Sequence, residues 1–152
     1  EKNSEGMESM LLGIVFSIAA GMAMSVQGVM NTRLGEGIGT MEANAFVQGT
    51  AFALALAVLM FWRQGSFSQL SQVSKLYWLG GVLGIVITVT VMLGIKSLGT
   101  TLAVSVILIS QLLVAACIDA FGLMGSERLA FTWHKYAGLA LMTGGMLLFK
   151  CR

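Results

Sequence analysis

Two pairs of amide side chains stand inside otherwise apolar runs of the sequence. Gln27 and Asn31 lie four residues apart, and Asn44 and Gln48 repeat that spacing shortly afterwards. Residues four apart share one face of a helix, and an amide surrounded by hydrocarbon needs a hydrogen-bonding partner. The two pairs therefore predict either a polar cavity that contacts a small solute, or helix caps and interhelical hydrogen bonds with no ligand.

A later apolar run carries one more amide and one acid. Gln111 falls near the middle of that run, and Asp119 lies near its end. A buried amide must be partnered, which makes Gln111 the fifth candidate for the substrate cavity. An acid inside a membrane span is costly and marks proton or cation pathways, so Asp119 is the candidate for a coupling-ion site. The alternative places Asp119 at the membrane interface, paired with Arg128 or Lys135.

The other chemically active residue types do not form a recognisable site. His134 has no second imidazole or cysteine cluster beside it, and the spacing of Cys117 and Cys151 fits neither a metal nor a redox motif. The sequence has no phosphate-binding loop, no nucleophile elbow and no pair of catalytic carboxylates. We therefore expect no enzyme activity, no bound metal and no cofactor.

Composition restricts the class of protein. Of the 152 residues, 57% are hydrophobic and 11% are charged, against about 25% charged in an average soluble domain. A soluble domain of about 150 residues buries only about 70% of the surface of its unfolded chain, so it could not hide this much apolar surface. The net charge of +2 is too small to indicate a nucleic-acid partner. The composition excludes an ordinary soluble enzyme, a disulfide-rich module and a disordered tail, and it predicts a protein of the lipid bilayer.

An apolar helix needs about 20 residues to cross a bilayer, and five runs approach that length. They are residues 10–30, 43–62, 76–95, 101–122 and 131–149. The uncharged part of the last run, 136–149, is short, so we expect this helix to begin near Phe131; an interfacial helix is the alternative. The predicted fold is an all-α membrane protein with five transmembrane helices in a single domain, residues 10–152.

The segments outside these runs are short. Residues 1–9 are polar and lack a signal-peptide pattern, and we interpret them as native or as partly a cloning remnant. Residues 31–42 are rich in glycine and are expected to form a flexible loop, whereas residues 96–100 are expected to form a tight link. Between Arg63 and Lys75, apolar residues recur every three positions, which predicts an amphipathic helix in the membrane interface.

Small residues recur at intervals of four in the first and third runs. The glycines at these positions are Gly13 and Gly21 in the first run, and Gly80 and Gly84 in the third. In lipid, small residues at this spacing let helix backbones approach closely. These glycines therefore predict close helix packing, either within one chain or between two chains.

The basic residues are divided almost evenly between the two predicted sides of the membrane. With five spans, five of the 9 basic residues lie on the side of the N-terminus, called side A, and four lie on the opposite side B. The positive-inside rule then has almost no bias to act on. The balance favours copies inserted in both orientations and paired antiparallel; a single orientation that charge does not reveal is the alternative. All 3 tryptophans and both tyrosines lie at side A, so an antiparallel pair would give both interfaces an aromatic belt.

Two stretches of the chain resemble a known family. Residues 27–49 (QGVMNTRLGEGIGTMEANAFVQG) and 98–125 (LGTTLAVSVILISQLLVAACIDAFGLMG) are similar to the five-span short branch of the drug/metabolite transporter superfamily. The likeness rests on Gln27, Asn31, Leu34, Gly49, Gly99, Gln111, Asp119, Gly122 and Gly125. Together with the five apolar runs, it extends over the chain from Met10 onward.

The resemblance implies an architecture and a class of function. Larger members of the superfamily have ten spans built from two inverted five-helix repeats, so this chain corresponds to one EamA-like half. It would need an inverted partner, either a second copy or a related chain. The implied function is a small secondary transporter of the bacterial inner membrane that moves a small metabolite or drug-like solute by alternating access. The small multidrug-resistance branch uses an acid in its first span, which this chain lacks.

Two other functions stay open at this point. A dual-topology ion channel would need a narrow file of hydrogen-bonding groups or a charged ring, and the sequence offers only scattered amides. A non-transporting membrane scaffold would depend on the packing glycines and not on the amides. The expected partners are the lipid bilayer, the inverted second chain and a small-molecule substrate, with no nucleic acid.

Overall fold

The computed structural model describes residues 2–129 and 132–150. The helices in these ranges are α1 (Lys2–Ile38), α2 (Thr40–Phe61), α3 (Gly80–Leu98), α4 (Thr100–Phe121) and α5 (Trp133–Lys150). The stretches long and apolar enough to cross a membrane are Gly6–Ile38, Thr40–Phe61, Lys75–Leu98 and Thr100–Phe121. The all-helical class is thus confirmed, and these stretches overlap the first four apolar runs of the sequence.

The five-span prediction depends on α5. This helix has 18 residues, which at about 1.5 Å per residue gives roughly 27 Å, close to the thickness of about 30 Å of a bilayer core. His134 and Lys135 make its first turn polar, and within the described ranges four stretches have the composition of a span. The expected start near Phe131 lies outside the described residues. The structure therefore confirms a fifth helix, and its crossing of the bilayer stays a prediction.

Contacts divide the chain into two compact units, Glu1–Leu93 and Gly94–Arg152. In the first unit α1 packs along α2, and in the second unit α4 packs against α5. Large apolar side chains face outward in both units: Phe52 is 66% exposed and Leu141 is 77% exposed. Such surfaces are expected on helices that lie in lipid.

A single residue, Gly39, connects α1 to α2. Its φ of 103° and ψ of 146° lie in a region restricted essentially to glycine. Its N–H donates to the Gly35 carbonyl at 3.0 Å, and its own carbonyl accepts from Ala43 N–H at 2.9 Å. The flexible loop expected over residues 31–42 is therefore wrong. Glycine inside a helix costs only about 1 kcal/mol, so α1 continues through the other two glycines of the segment and ends at the positive φ.

A second single-residue turn, Gly99, joins α3 to α4. Its φ is 79° and its ψ is 163°. Its N–H donates to the Ile95 carbonyl at 2.9 Å, and its carbonyl accepts from Ala103 N–H at 3.1 Å. The alanine four residues after each turn glycine is buried, at 0% exposed for Ala43 and 2% for Ala103. The expected tight link over residues 96–100 is confirmed and consists of one non-helical residue.

Two 3-10 helices, Phe67–Gln72 and Lys75–Leu79, lie between α2 and α3. The segment expected to form an amphipathic helix is helical, and it takes the 3-10 form, whose period matches the three-residue repeat of its apolar residues. The hydroxyl of Ser66 caps the first of them by accepting from Ser68 N–H at 3.2 Å. Their apolar side chains are exposed, as expected for a segment at the membrane surface.

The end of α4 is closed by the segment that follows it. Gly122 adopts the left-handed conformation, with φ 63° and ψ 39°. The N–H of Leu129 donates to the Asp119 carbonyl at 2.9 Å, and Arg128 Nε donates to the Ala120 carbonyl at 3.2 Å. These bonds satisfy carbonyls that a helix end otherwise leaves without partners.

The four glycines expected to pack closely differ in their surroundings. A Cβ built on Gly84 would lie 3.7 Å from Gln48 Nε2, so α3 comes close to α2 there. At Gly13, Gly21 and Gly80, no described atom of another element lies within 4 Å of such a Cβ. The close packing expected of these glycines, within one chain or between two chains, stays a prediction.

Candidate functional site

One face of α1 is small and polar where it packs in the first unit. Gly28, Asn31, Thr32 and Gly35 follow the i, i+3, i+4, i+7 spacing of a helix face; Asn31 is 8% exposed and Thr32 is 6% exposed. The Thr32 hydroxyl donates to the Gly28 carbonyl at 2.7 Å. Gly35 permits a close approach by α3, because a Cβ there would lie 3.4 Å from Met92 Sδ.

Asn44 lies on α2 in the same unit. It follows Ala43, whose Cβ would lie 3.8 Å from a Cβ on Gly35, and Asn44 itself is 6% exposed. Its Oδ1 is buried and accepts no hydrogen bond from the described residues. A buried polar atom left without a partner costs about 1–3 kcal/mol, so an orphan of this kind requires an explanation such as a bound ligand or water.

Gln48, one turn after Asn44, connects α2 to α3. Its Nε2 donates to Thr88 Oγ1 at 3.4 Å, and the Thr88 hydroxyl donates to the Gly84 carbonyl at 2.9 Å. The two amides of this pair therefore differ. Gln48 makes an interhelical hydrogen bond, as expected for a purely structural residue, whereas Asn44 keeps an unused acceptor.

Gln27 and Asn31 line one groove along α1. Its lining consists of Met22, Ala23, Val26, Gln27, Met30 and Asn31. Gln27 is exposed and Asn31 is buried. The predicted pair thus shares the groove, and Asn31 also belongs to the packed face of α1.

Gln111 and Asp119 belong to the second unit, where Gln111 is exposed on α4 and Asp119 is half-buried. Asp119 and Lys135 line a cleft of about 190 Å³ between α4 and α5, which is called the α4–α5 cleft below. Of the two basic residues expected near Asp119, Lys135 shares this cleft. Arg128 instead donates from Nε to the Ala120 carbonyl.

Thr32 and Thr88 are polar residues of the first unit that the sequence interpretation missed. A signal for both was present, because each threonine follows a glycine by four residues, at Gly28 and Gly84. A hydroxyl at that spacing bonds back to its own helix, and the small residue beside it lets another helix come close. Within the part of the chain that the structure describes, no three His, Cys, Asp or Glu residues cluster as a metal site requires.

The comparison with protein families decides the class of this chain. Residues 12–148 match the family described as "Putative inner membrane exporter, YdcZ". The chain belongs to this family. No match was found among curated proteins or among solved structures.

The YdcZ match includes every candidate residue named above, from α1 to α5. It confirms the resemblance to the short branch of the drug/metabolite transporter superfamily. The chain is accordingly a multi-pass protein of the inner membrane. Its family is one of membrane exporters and not of enzymes.

Proposed function

We propose that this YdcZ-family chain is one half of a secondary exporter for small neutral or zwitterionic solutes. Two chains of opposite orientation, either identical or related, would hold the solute near the middle of the bilayer and alternate its access to the two sides. The family supports export across the inner membrane. The proposal includes α5 as a fifth span, so that the termini of each chain lie on opposite sides.

The orphan acceptor of Asn44 is the observation that carries this proposal. A solute with an N–H or O–H group would supply the hydrogen bond that Asn44 Oδ1 lacks. The buried polar residues in the described ranges are Asn31, Thr32 and Asn44, all of them uncharged. A neutral lining favours a neutral or zwitterionic cargo, because an ionised solute would be left without a counter-charge.

The exposed amides support a second chain. Gln27 and Gln111 face outward, and an amide in hydrocarbon gains about 0.6 kcal/mol on average from an interhelical hydrogen bond. An inverted copy could provide those partners and complete the cavity. Asp119 remains the candidate coupling residue, and a pH dependence of export that disappears in Asp119→Asn would support this role. A carboxylate that holds a lipid headgroup instead would leave the pH dependence of export unchanged.

Export from cells tests the role of Asn44. Cells that express the chain, its Asn44→Leu variant or no chain are compared by mass spectrometry of the solutes released into the medium. We expect the intact chain to enrich particular solutes and Asn44→Leu to reduce that enrichment about tenfold or more, since one buried hydrogen bond to the solute is lost.

Thr50→Val is the matched control, because Thr50 lies on α2 as Asn44 does, is exposed, and its hydroxyl donates to the Phe46 and Val47 carbonyls of the same helix. This substitution should change the enrichment less than about twofold, which corresponds to a free-energy change below about 0.5 kcal/mol. Unchanged export by Asn44→Leu would overturn the cavity assignment. A pure scaffold would give no enrichment over cells without the chain, and a channel would show flux that does not saturate.

Labelling of both termini tests the number of spans and the inverted pair. With four spans, Lys150 and Arg152 would join side A, which would then carry seven of the 9 basic residues and would give one fixed orientation. Tags on the two termini would then label from the same face. Five spans in one orientation would label the termini from opposite faces, and inverted copies would label each terminus from both faces, which is the result we expect.

A further inference from the structure

The α4–α5 cleft combines one acid and one base with an apolar wall. Asp119 and Lys135 supply the charges. The apolar lining consists of Leu112, Leu113, Ala115, Ala116 and Leu139. The ligand that fits this lining has a positive and a negative group at one end and an apolar remainder.

Positions along the helices give the cleft a direction relative to the membrane. Asp119 lies near the end of α4, and Leu112 lies seven residues earlier, about 10 Å deeper along the helix axis. Lys135 stands in the first turn of α5, between Trp133 and Tyr136, and tryptophan and tyrosine mark the membrane–water interface. The charged end of the cleft is therefore at headgroup level, and the leucine end is at the level of acyl chains.

We propose that this cleft binds a phospholipid with a primary-ammonium headgroup, such as phosphatidylethanolamine. The Asp119 carboxylate accepts a hydrogen bond from an N–H of the headgroup ammonium, and the Lys135 side chain donates a hydrogen bond to the phosphate. Charge-assisted hydrogen bonds of this kind are roughly twice as strong as neutral ones. An acyl chain lies along Leu112 and Leu139.

A second cleft beside the first provides more apolar surface. It has a volume of about 280 Å³ and shares Leu113, Ala116 and Leu139 with the charged cleft. Its other lining residues are Cys117, Ala120, Phe121 and Tyr136. The two clefts thus adjoin along the α4–α5 contact, and their combined apolar surface suits a ligand with two acyl chains.

The choice of headgroup follows from the acceptor at Asp119. A choline headgroup carries the same charges as ethanolamine but has no N–H to donate, and a glycerol headgroup has no positive charge. Comparing lipids that have the same acyl chains and these three headgroups therefore distinguishes the contributions of the hydrogen bond, the positive charge and the apolar contact to binding.

Native mass spectrometry of the purified full-length chain tests the proposal. The chain is released from detergent in the presence of equimolar phosphatidylethanolamine, phosphatidylcholine and phosphatidylglycerol with matched acyl chains. We expect phosphatidylethanolamine to be retained about tenfold more than phosphatidylcholine, the effect of one charge-assisted hydrogen bond. Asp119→Asn should remove this preference, and Lys135→Gln should lower the retention of both lipids.

Glu127→Gln is the matched control, because Glu127 is an exposed acid in the segment after α4 and does not line the cleft. It should keep the full preference for phosphatidylethanolamine. Equal retention of the two zwitterionic lipids by the unmodified chain would overturn the proposal, as would a preference that survives Asp119→Asn. If free phosphoethanolamine displaced phosphatidylethanolamine as well as added lipid does, the site would bind a soluble zwitterion and not a lipid, which would overturn the proposal. Since the readout is lipid retention, the result does not depend on whether the chain exports a solute.

Discussion

The turns at Gly39 and Gly99 have similar backbone conformations in different surroundings. Both glycines have a positive φ, and both donate to the carbonyl four residues earlier. At Gly39 the Glu42 carboxylate occupies the space that a Cβ would need, whereas at Gly99 that space is open. The buried alanine after the first turn is followed by Asn44, and the one after the second by Val104. The turn itself thus depends on glycine alone. A buried polar residue, Asn44, follows the first turn and has no counterpart after the second.

Gly39→Ala is expected to have the largest effect on stability. A non-glycine residue in this backbone region costs about 1–3 kcal/mol, and the new methyl group must also displace Glu42. We expect the free energy of unfolding to fall by about 3 kcal/mol, measured by denaturant titration in mixed micelles. A loss below about 1 kcal/mol would mean that the turn can adopt another backbone conformation.

Gly99→Ala is expected to cost less, about 2 kcal/mol, because backbone strain is its only penalty. The same titration gives the value. A larger loss of stability in Gly99→Ala than in Gly39→Ala would contradict the extra cost assigned to Glu42 at the first turn.

Glu42→Ala sharpens the comparison by removing the side chain that an added methyl group would meet at Gly39. Glu42 meets the added methyl group with the far end of a flexible side chain, so its displacement should cost no more than about 1 kcal/mol. In the Glu42→Ala background, Gly39→Ala and Gly99→Ala should therefore have equal costs. A difference that persists in this double-mutant cycle would have to come from Asn44 and its surroundings.

Gly37→Ala is expected to stabilise the chain by about 0.5–1 kcal/mol, since alanine is the better helix former and the position is open. Gly35→Ala, two residues earlier, is the control. Its methyl group would meet Met92 Sδ at 3.4 Å, so its gain should be smaller or absent. Thermal unfolding in one detergent ranks the two variants, and the reverse order would contradict the packing of α3 on Gly35.

The ion pair between Arg33 and Glu36 should have the smallest effect. Arg33 Nη1 lies 2.9 Å from Glu36 Oε2, and the Arg33 side chain is 77% exposed. Exposed pairs contribute about 0–1 kcal/mol, so Glu36→Gln should change stability by less than about 0.5 kcal/mol. The change should vanish in high salt, and a larger effect at all salt concentrations would indicate that another chain covers this pair.

Hydropathy predicted the positions of the spans because about 20 apolar residues are needed to cross a bilayer. For α2 and α4 the expected boundaries agree with the observed ones to within three residues. Hydropathy did not predict which glycine ends α1, because Gly37 and Gly39 are the same residue type in one segment. Only the backbone of Gly39 leaves the helical region, and this depends on how α1 and α2 pack.

The site was less predictable than the spans. The spacing of Asn44 and Gln48 placed both on one face of α2, but which amide is partnered depends on what α3 brings close. Thr88 stands opposite Gln48 and takes its hydrogen bond, while Asn44 Oδ1 receives none. Spacing within one helix does not determine the angle at which another helix crosses it. The structure was therefore needed to show that Gln48 has a partner on α3 and that Asn44 Oδ1 has none among the described residues.

The single-residue turns also decide where a protease can cut. Arg33 and Lys96, the basic residues closest to the two turns, lie inside α1 and α3. Arg63 and Arg128 lie in non-helical segments, which are predicted to face side A, whereas the turns are predicted to face side B. Proteases cleave at exposed segments outside regular structure. Trypsin added to sealed vesicles should therefore cut at side A and leave the side B turns intact. Chains of one orientation would be cleaved completely or not at all, and an inverted population would be cleaved by about half, with no tag on either terminus.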